Sequence, residues 1–245
     1  MKEDDEVIEN EPVDEKVETS KSWNWGMMVV GVFVVLALAG LSAPMVLRCP
    51  KATERTWAIN NAKQVGLALL EFDQEFGSFP DETTAAMVKK STGTDLDFSG
   101  QSSNAMFRQL IAFGVQSEDL FFVPKHPECR NKPDNNISED KALEDGEVGW
   151  SYIMLAGGVG QNASGNPGRP VLAAPMKIGT EQFWPDAFGD KGVILRLDNS
   201  VEAPLIRSKD LKISVGNGET LFDTGPESVW GEIGLIDIRY PEPGK

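Results

Sequence analysis

Residues 59–80 read INNAKQVGLALLEFDQEFGSFP, and their pattern decides the fold. Ile59, Ala62, Leu69, Phe72 and Phe76 recur at near-helical spacing, while Lys63, Gln64, Glu71 and Gln74 fall elsewhere on the turn. Such spacing gathers the apolar side chains into one stripe, which is stable only when another apolar layer covers it. Gly77 and Pro80 end the pattern, the first by its conformational freedom and the second by its missing N–H. The expected helix therefore covers residues 51–76 and must lie against a core.

Upstream, residues 22–47 form 26 consecutive positions without a formal charge, mostly Val, Leu, Ala, Met and Gly. About 20 such residues suffice to cross a bilayer core as a helix. Trp23 and Trp25 stand at one edge and Arg48 and Lys51 at the other, as interfacial anchors do. A buried core helix of this length would keep a polar face, which this stretch lacks. The pattern predicts a transmembrane helix over 22–47, with Pro44 and Pro50 kinking or interrupting the chain at its exit. Ala37-Leu38-Ala39 offers a competing small-x-small cleavage site, but a signal peptide begins with a short positive segment and this one follows a long acidic head. An uncleaved anchor is the expectation.

The charge is unevenly distributed. The 245 residues carry 23 basic and 38 acidic side chains, a net of -15, with one His and two Cys. Such an acidic chain lacks the clustered Lys and Arg that neutralise phosphates, which argues against nucleic acid as a partner. Three soft ligands are also too few for a four-ligand zinc finger or ribbon. Residues 1–21 hold nine acids and three lysines, a net of -6, leaving -9 for the remainder. With few large apolar residues, 1–21 reads as an acidic disordered tail. Basic residues flank the span on both sides: Lys16 and Lys21 before it, Arg48, Lys51, Arg55 and Lys63 after it. Counted literally they keep the C-terminal part in the cytoplasm, although long domains translocate largely regardless of flanking charge.

Downstream, residues 81–90 read as a helix with Asp81 at its N-cap. Residues 103–113 form another, with Met106, Phe107, Leu110 and Phe113 on one side and Gly114 as C-cap. Residues 125–148 are polar and rich in turn-formers, and read as a long surface excursion. Strand-like apolar or alternating runs follow at 150–155, 170–174 and 193–197. Asp198-Asn199-Ser200 joins the last of these to 201–206 as a hairpin turn, and shorter signals fall at 211–215 and 235–240. Helices first and strands later give an α+β class: a long N-terminal helix, transmembrane then amphipathic, packed on an antiparallel β-sheet.

The stretch from Asn60 to Pro80 resembles a recurrent segment of type IV pilin-like proteins. The resemblance is to the G-type pseudopilins of type II secretion and to related prepilin-like families of planctomycetes and verrucomicrobia. Asn60, Asn61, Lys63, Gln64, Gly66, Gly77, Phe79 and Pro80 stand where those families place similar residues after a hydrophobic helix. Asp198, Val201 and Glu202 are similar to their late Asp-Gly-x-Val-Glu turn, with Asn199 here in place of glycine. The resemblance implies a pilin-like extracytoplasmic domain over 48–245 and a cytoplasmic N-terminus, hence a bacterial inner-membrane, single-pass protein. It also implies envelope or secretion-system proteins as partners. Prepilins are cut after a glycine, for which Gly26 before Met27 is the nearest candidate, and carry glutamate at the fifth mature position. That position is Gly31 here, so the assembly signal is missing.

Chemical motifs are few. No G-x-S-x-G, H-E-x-x-H or G-x-x-x-x-G-K-[ST] pattern occurs. The glycine-rich residues 157–168 have the amides to cradle an anion but neither a lysine nor a following helix, and read as a flexible surface loop. His126 lies three residues from Cys129, in a stretch that reads as exposed and offers no orienting partner. A Cys49–Cys129 disulfide requires their Cα atoms within about 7 Å. Asp186, Asp190 and Asp198 lie in the late loops, the region where G-type pseudopilins bind calcium, but no calcium-loop spacing is present and solvated acids are the simpler reading. The expectation is a non-enzymatic membrane protein acting through protein contacts, with no resident cofactor. The alternative is a membrane-anchored module that binds a small ligand or calcium.

Overall fold

A computed structural model of the chain describes residues 25–216, 218–231 and 234–245, without the side chains of 37–50 and of Asp140. The acidic tail expected over 1–21 lies outside the described residues. Two compact units make up the chain, Met1–Val46 and Leu47–Lys245.

Helix α1 spans Trp25–Phe76 as one assignment. It includes Pro44 and Pro50, where the sequence predicts a kink or an interruption; each proline removes one backbone donor, and the helix is not interrupted at either. In the first unit, large apolar residues from Trp25 to Leu36 are exposed on every side of the helix, Trp25 at 81% and Phe33 at 69%. Among the described residues no helix is long and apolar enough to cross a membrane.

In the second unit α1 behaves as its sequence dictates. Ala58, Ala62, Val65, Leu69 and Phe72 are fully buried, and Ile59, Leu70 and Phe76 pack beside them. The alternating four- and three-residue spacing keeps them on one face. Helix α2 (Glu82–Thr92) and helix α3 (Ser103–Phe113) complete the helical layer. Asp81 caps α2 with a reciprocal Thr84 bond, Gly93 closes it in the left-handed region, and Gly114 closes α3.

The sheet has five antiparallel strands in the order β4-β3-β2-β1-β7. These are β1 (Ser151–Leu155), β2 (Pro170–Ala174), β3 (Val193–Arg196), β4 (Val201–Glu202) and β7 (Ile236–Arg239). A four-residue helix α4 (Pro185–Phe188) precedes β3, and a small hairpin of β5 (Ser214–Gly216) and β6 (Glu219–Thr220) precedes β7. The class is α+β with an antiparallel sheet. Strand β4 is shorter than the sequence implies because Pro204 has no N–H to extend the ladder; Leu205 and Ile206 make only isolated bridges.

Both faces of this sheet are buried. Tyr152, Met154, Leu172, Ala174, Val193 and Leu195 share a core with the helices. On the opposite face Ile153, Ala173 and Ile194 meet Met176, Phe183, Ile206, Ile213, Phe222 and Trp230. The C-terminal segments thus cover the face that a one-helix-on-sheet architecture would leave in solvent.

The stretch 125–148 departs from expectation as well. His126, Cys129, Ala142, Leu143, Glu147 and Val148 are buried in it. Its polar groups are tied down: the Asn104 amide and the Arg108 guanidinium donate to the Leu143 carbonyl, and Asn131 donates to the Asp145 carbonyl. Turn-forming composition marks an irregular path but does not by itself place it on the surface.

Candidate functional site

The residues singled out from Asn60 to Pro80 divide by role. Asn61 is buried and donates to the Asp119 carbonyl at 2.7 Å, which joins α1 to the turn after α3. Gly66 lies against Asn199 and Leu195, so a side chain there would collide with the β3–β4 turn. Phe79 is buried, with its N–H on the Gln161 carbonyl, and the Pro80 carbonyl accepts from the Tyr152 hydroxyl at 3.1 Å. Gly77 ends α1 with a positive φ of 81°. Asn60, Lys63 and Gln64 face solvent. The segment fixes helix to sheet.

The glycine-rich loop 157–168 is committed to the same junction. Gly160 N–H donates to Asp81 Oδ2 at 3.0 Å, while Gln161 Nε2 donates to the carbonyls of Ile153 and Pro170. The loop amide does meet an anion, but that anion is the Asp81 carboxylate. Burial raises the Asp81 pKa, yet hydrogen bonds from Thr83, Thr84 and Gly160 outweigh it and hold the group below its ordinary value.

The late-loop acids stay apart. Asp198 Oδ1 accepts from Ser200 N–H at 2.9 Å inside the β3–β4 turn, and the Ser200 bonds lower its pKa. Glu202 pairs with Arg196 at 3.2 Å, side by side with Val201 in β4. Asp186 sits in the first turn of α4, and Asp190 takes a left-handed φ of 60° beyond it. Among the described residues, Asp186, Asp190 and Asp198 do not form a group able to hold a metal.

His126 and Cys129 are both about 1% exposed rather than on an exposed loop. The imidazole Nδ1 accepts the N–H groups of Glu128 and Cys129, each at 3.2 Å, which assigns the proton to Nε2. Burial depresses the His126 pKa to about 4, against the pull of Glu128 and the Met176 carbonyl. Burial pushes the Cys129 thiol up to about 12, with Glu128 adding to it. A neutral thiol beside a neutral imidazole is a poor nucleophile, since the thiolate is the reactive form. Cys129 makes no disulfide, and the Cys49 side chain lies outside the described ones. The pair borders an open groove of about 540 Å³ shared with Glu54, Phe122 and Arg130.

Sequence reasoning missed a different cluster. Glu118, on the short 3-10 turn after α3, meets Asp134 and Glu147 so that one ligand oxygen of each lies within 4.8 Å of the other two. Glu118 is 0% exposed and Glu147 4%, while Asp134 faces solvent. Backbone amides orient all three: Leu143 N–H to Glu118 Oε1 at 2.6 Å, Asn136 N–H to Asp134 Oδ1 at 2.8 Å, Glu144 N–H to Glu147 Oε2 at 2.7 Å. Glu118 Oε2 has no hydrogen-bond partner. Burial lifts the Glu118 pKa, with Asp134 adding to it and the Leu143, Asn135 and Asn136 amides opposing. Burial also lifts Glu147, to about 7; the Glu144 N–H opposes, and the charges of Glu118, Asp134 and Glu144 reinforce it. The three acids are 16 and 13 positions apart, so no local spacing announces them.

No protein-family model matches this chain, and neither a curated protein nor a solved structure matches it.

Proposed function

We propose that the chain is a non-enzymatic, single-pass envelope protein, with a helix in the bacterial inner membrane and a pilin-like 48–245 head outside the cytoplasm. One observation carries this reading: the helix from Trp25 to Leu36 exposes large apolar side chains all round, a surface suited to lipid and not to water. The uncharged sequence continues to Leu47, long enough to span. The head then acts by protein contact. Its two sheet faces are both covered, so contacts fall to its loops, its edge strands and the exposed side of α1. Gly31 in place of an acid favours a fixed anchor over a polymerising pilin. The buried, neutral forms of His126 and Cys129 favour a structural role over catalysis.

Alkaline carbonate extraction of membranes tests the anchor, and a reporter fused after Lys245 tests the orientation. The chain is expected to remain in the membrane pellet, with an exported-only reporter active. Release into the carbonate supernatant would overturn the anchor, and activity of a cytoplasm-only reporter would overturn the orientation. N-terminal sequencing is expected to give Met1 or Lys2. A start at Met27 would identify a processed pilin, and a start at Gly40 a secreted product.

A further inference from the structure

Two carboxylates buried together, with a third at their mouth, need a compensating positive charge or a proton. The largest charge effects on Glu147 come from Glu118, Asp134 and Glu144, all of one sign, while Arg108 and Lys245 line the same open groove. Glu118 is fully buried, one of its carboxylate oxygens lies in this cluster, and its Oε2 has no hydrogen-bond partner. An orphaned buried carboxylate oxygen is among the costliest groups a fold can keep.

The geometry suits a hard cation. All three donors are carboxylate oxygens, with no nitrogen or sulfur, a set that favours calcium or magnesium over zinc or copper. Oxygens on opposite sides of a calcium ion lie roughly 5 Å apart. The three donors lie within 4.8 Å of one another, close enough to share one ion. Magnesium demands near-ideal octahedral geometry, whereas calcium tolerates an irregular set of loop carboxylates such as this one. Backbone amides also hold each carboxylate, so the donors are oriented before an ion arrives.

We propose that Glu118, Asp134 and Glu147 form a calcium site, completed by water, which fastens the 131–147 excursion to the turn after α3. The site uses none of the late-loop acids and stands independently of the membrane reading. Asn135, at a left-handed φ of 59°, already binds the same turn through Glu118 N–H and Asp119. The ion ties the adjoining Asp134 to Glu147 on the far side of the excursion.

The test is calorimetric titration of calcium chloride into the full chain in detergent, after chelator treatment, with thermal unfolding measured in calcium and in chelator. One calcium per chain is expected to bind, with a dissociation constant of about 0.01–1 mM. The melting temperature should rise in calcium. Asp134→Asn, on an exposed residue that leaves the core intact, should weaken binding at least tenfold, while the chelated protein, relieved of one repelling charge, melts no lower than the parent. Glu118→Gln should abolish binding. Absence of saturable binding up to 5 mM overturns the site, as does binding that Asp134→Asn leaves unaltered. Equal affinity for magnesium overturns the assignment to calcium.

Discussion

Gly66 on α1 packs so closely against Asn199 at the tip of the β3–β4 turn that a methyl group at position 66 would overlap the Asn199 Oδ1 and meet Leu195 Cδ1 at 3.1 Å. Asn199 holds a left-handed φ of 62°, and its Oδ1 is buried without a partner. Helix and turn therefore fit because one side chain is missing. Gly66→Ala gains about 0.5–1 kcal/mol of helix propensity but incurs an overpacking cost of about 1–3 kcal/mol. A net loss of about 1 kcal/mol is expected. Asn199→Gly suits the left-handed backbone and removes the obstructing oxygen, so the double variant should recover the loss. Thermal unfolding of both single variants and the double variant checks this; strictly additive effects would show that the two positions do not touch.

Asp81 supports two structures with one carboxylate. Its Oδ1 accepts from Thr83 and Thr84 to cap α2, and its Oδ2 accepts from Gly160 to hold the 157–168 loop. Asp81→Ala should cost about 2–3 kcal/mol, combining a lost cap with a buried N–H left unpaired. Because the folded pKa lies below the ordinary 3.8, this contribution is complete above that value and disappears as pH falls through the lower, folded one. Urea midpoints at pH 6 and pH 3 should show the variant's deficit shrinking in acid.

Two buried groups give opposite pH slopes in the same window. His126, the only histidine, titrates near 4 in the fold against an ordinary 6.5. Its contribution is complete above 6.5 and falls, by about 3 kcal/mol at most, as pH drops toward 4. Glu147 is raised to about 7 from 4.5, so it favours the fold fully below 4.5 and progressively less as pH rises through 7. His126→Asn keeps an acceptor for the two backbone N–H groups without titrating. It should flatten the acid-side decline between pH 6.5 and 4, whereas Glu147→Gln should raise stability at pH 8. Chemical denaturation across pH 4–8 in chelator separates the two.

The helical half of the fold was legible because its signals are local. Asp81 and Gly114 sit at the helix ends that their chemistry dictates, and helix α3 and strand β2 coincide with the runs at 103–113 and 170–174. The cover over the second sheet face was not legible. Met176, Phe183, Ile206, Ile213, Phe222 and Trp230 follow no period, and they reach the core in pairs from three separate connecting segments. Strands β1 to β3 did carry the hint, being apolar on both faces, as doubly covered strands are. The carboxylate cluster was illegible for the same reason as the cover: its members meet only through tertiary structure.

That cover depends on one residue more than any other. Trp230 is fully buried in it, and its Nε1–H donates to the Leu221 carbonyl at 3.0 Å, which closes the 221–230 loop over Ile153, Ala173 and Ile194. Trp230→Ala removes the largest side chain of that core, at a cost of about 3–5 kcal/mol. Trp230→Phe keeps most of the apolar area but strands a buried carbonyl, at about 1–2 kcal/mol. If the cover is a separately opening layer, both variants should become sensitive to limited proteolysis within 206–231 before the helical layer is cut. The alanine variant should be cut fastest. Cleavage that begins instead in 82–113 would mean that the two cores unfold together and that the cover has no stability of its own to lose.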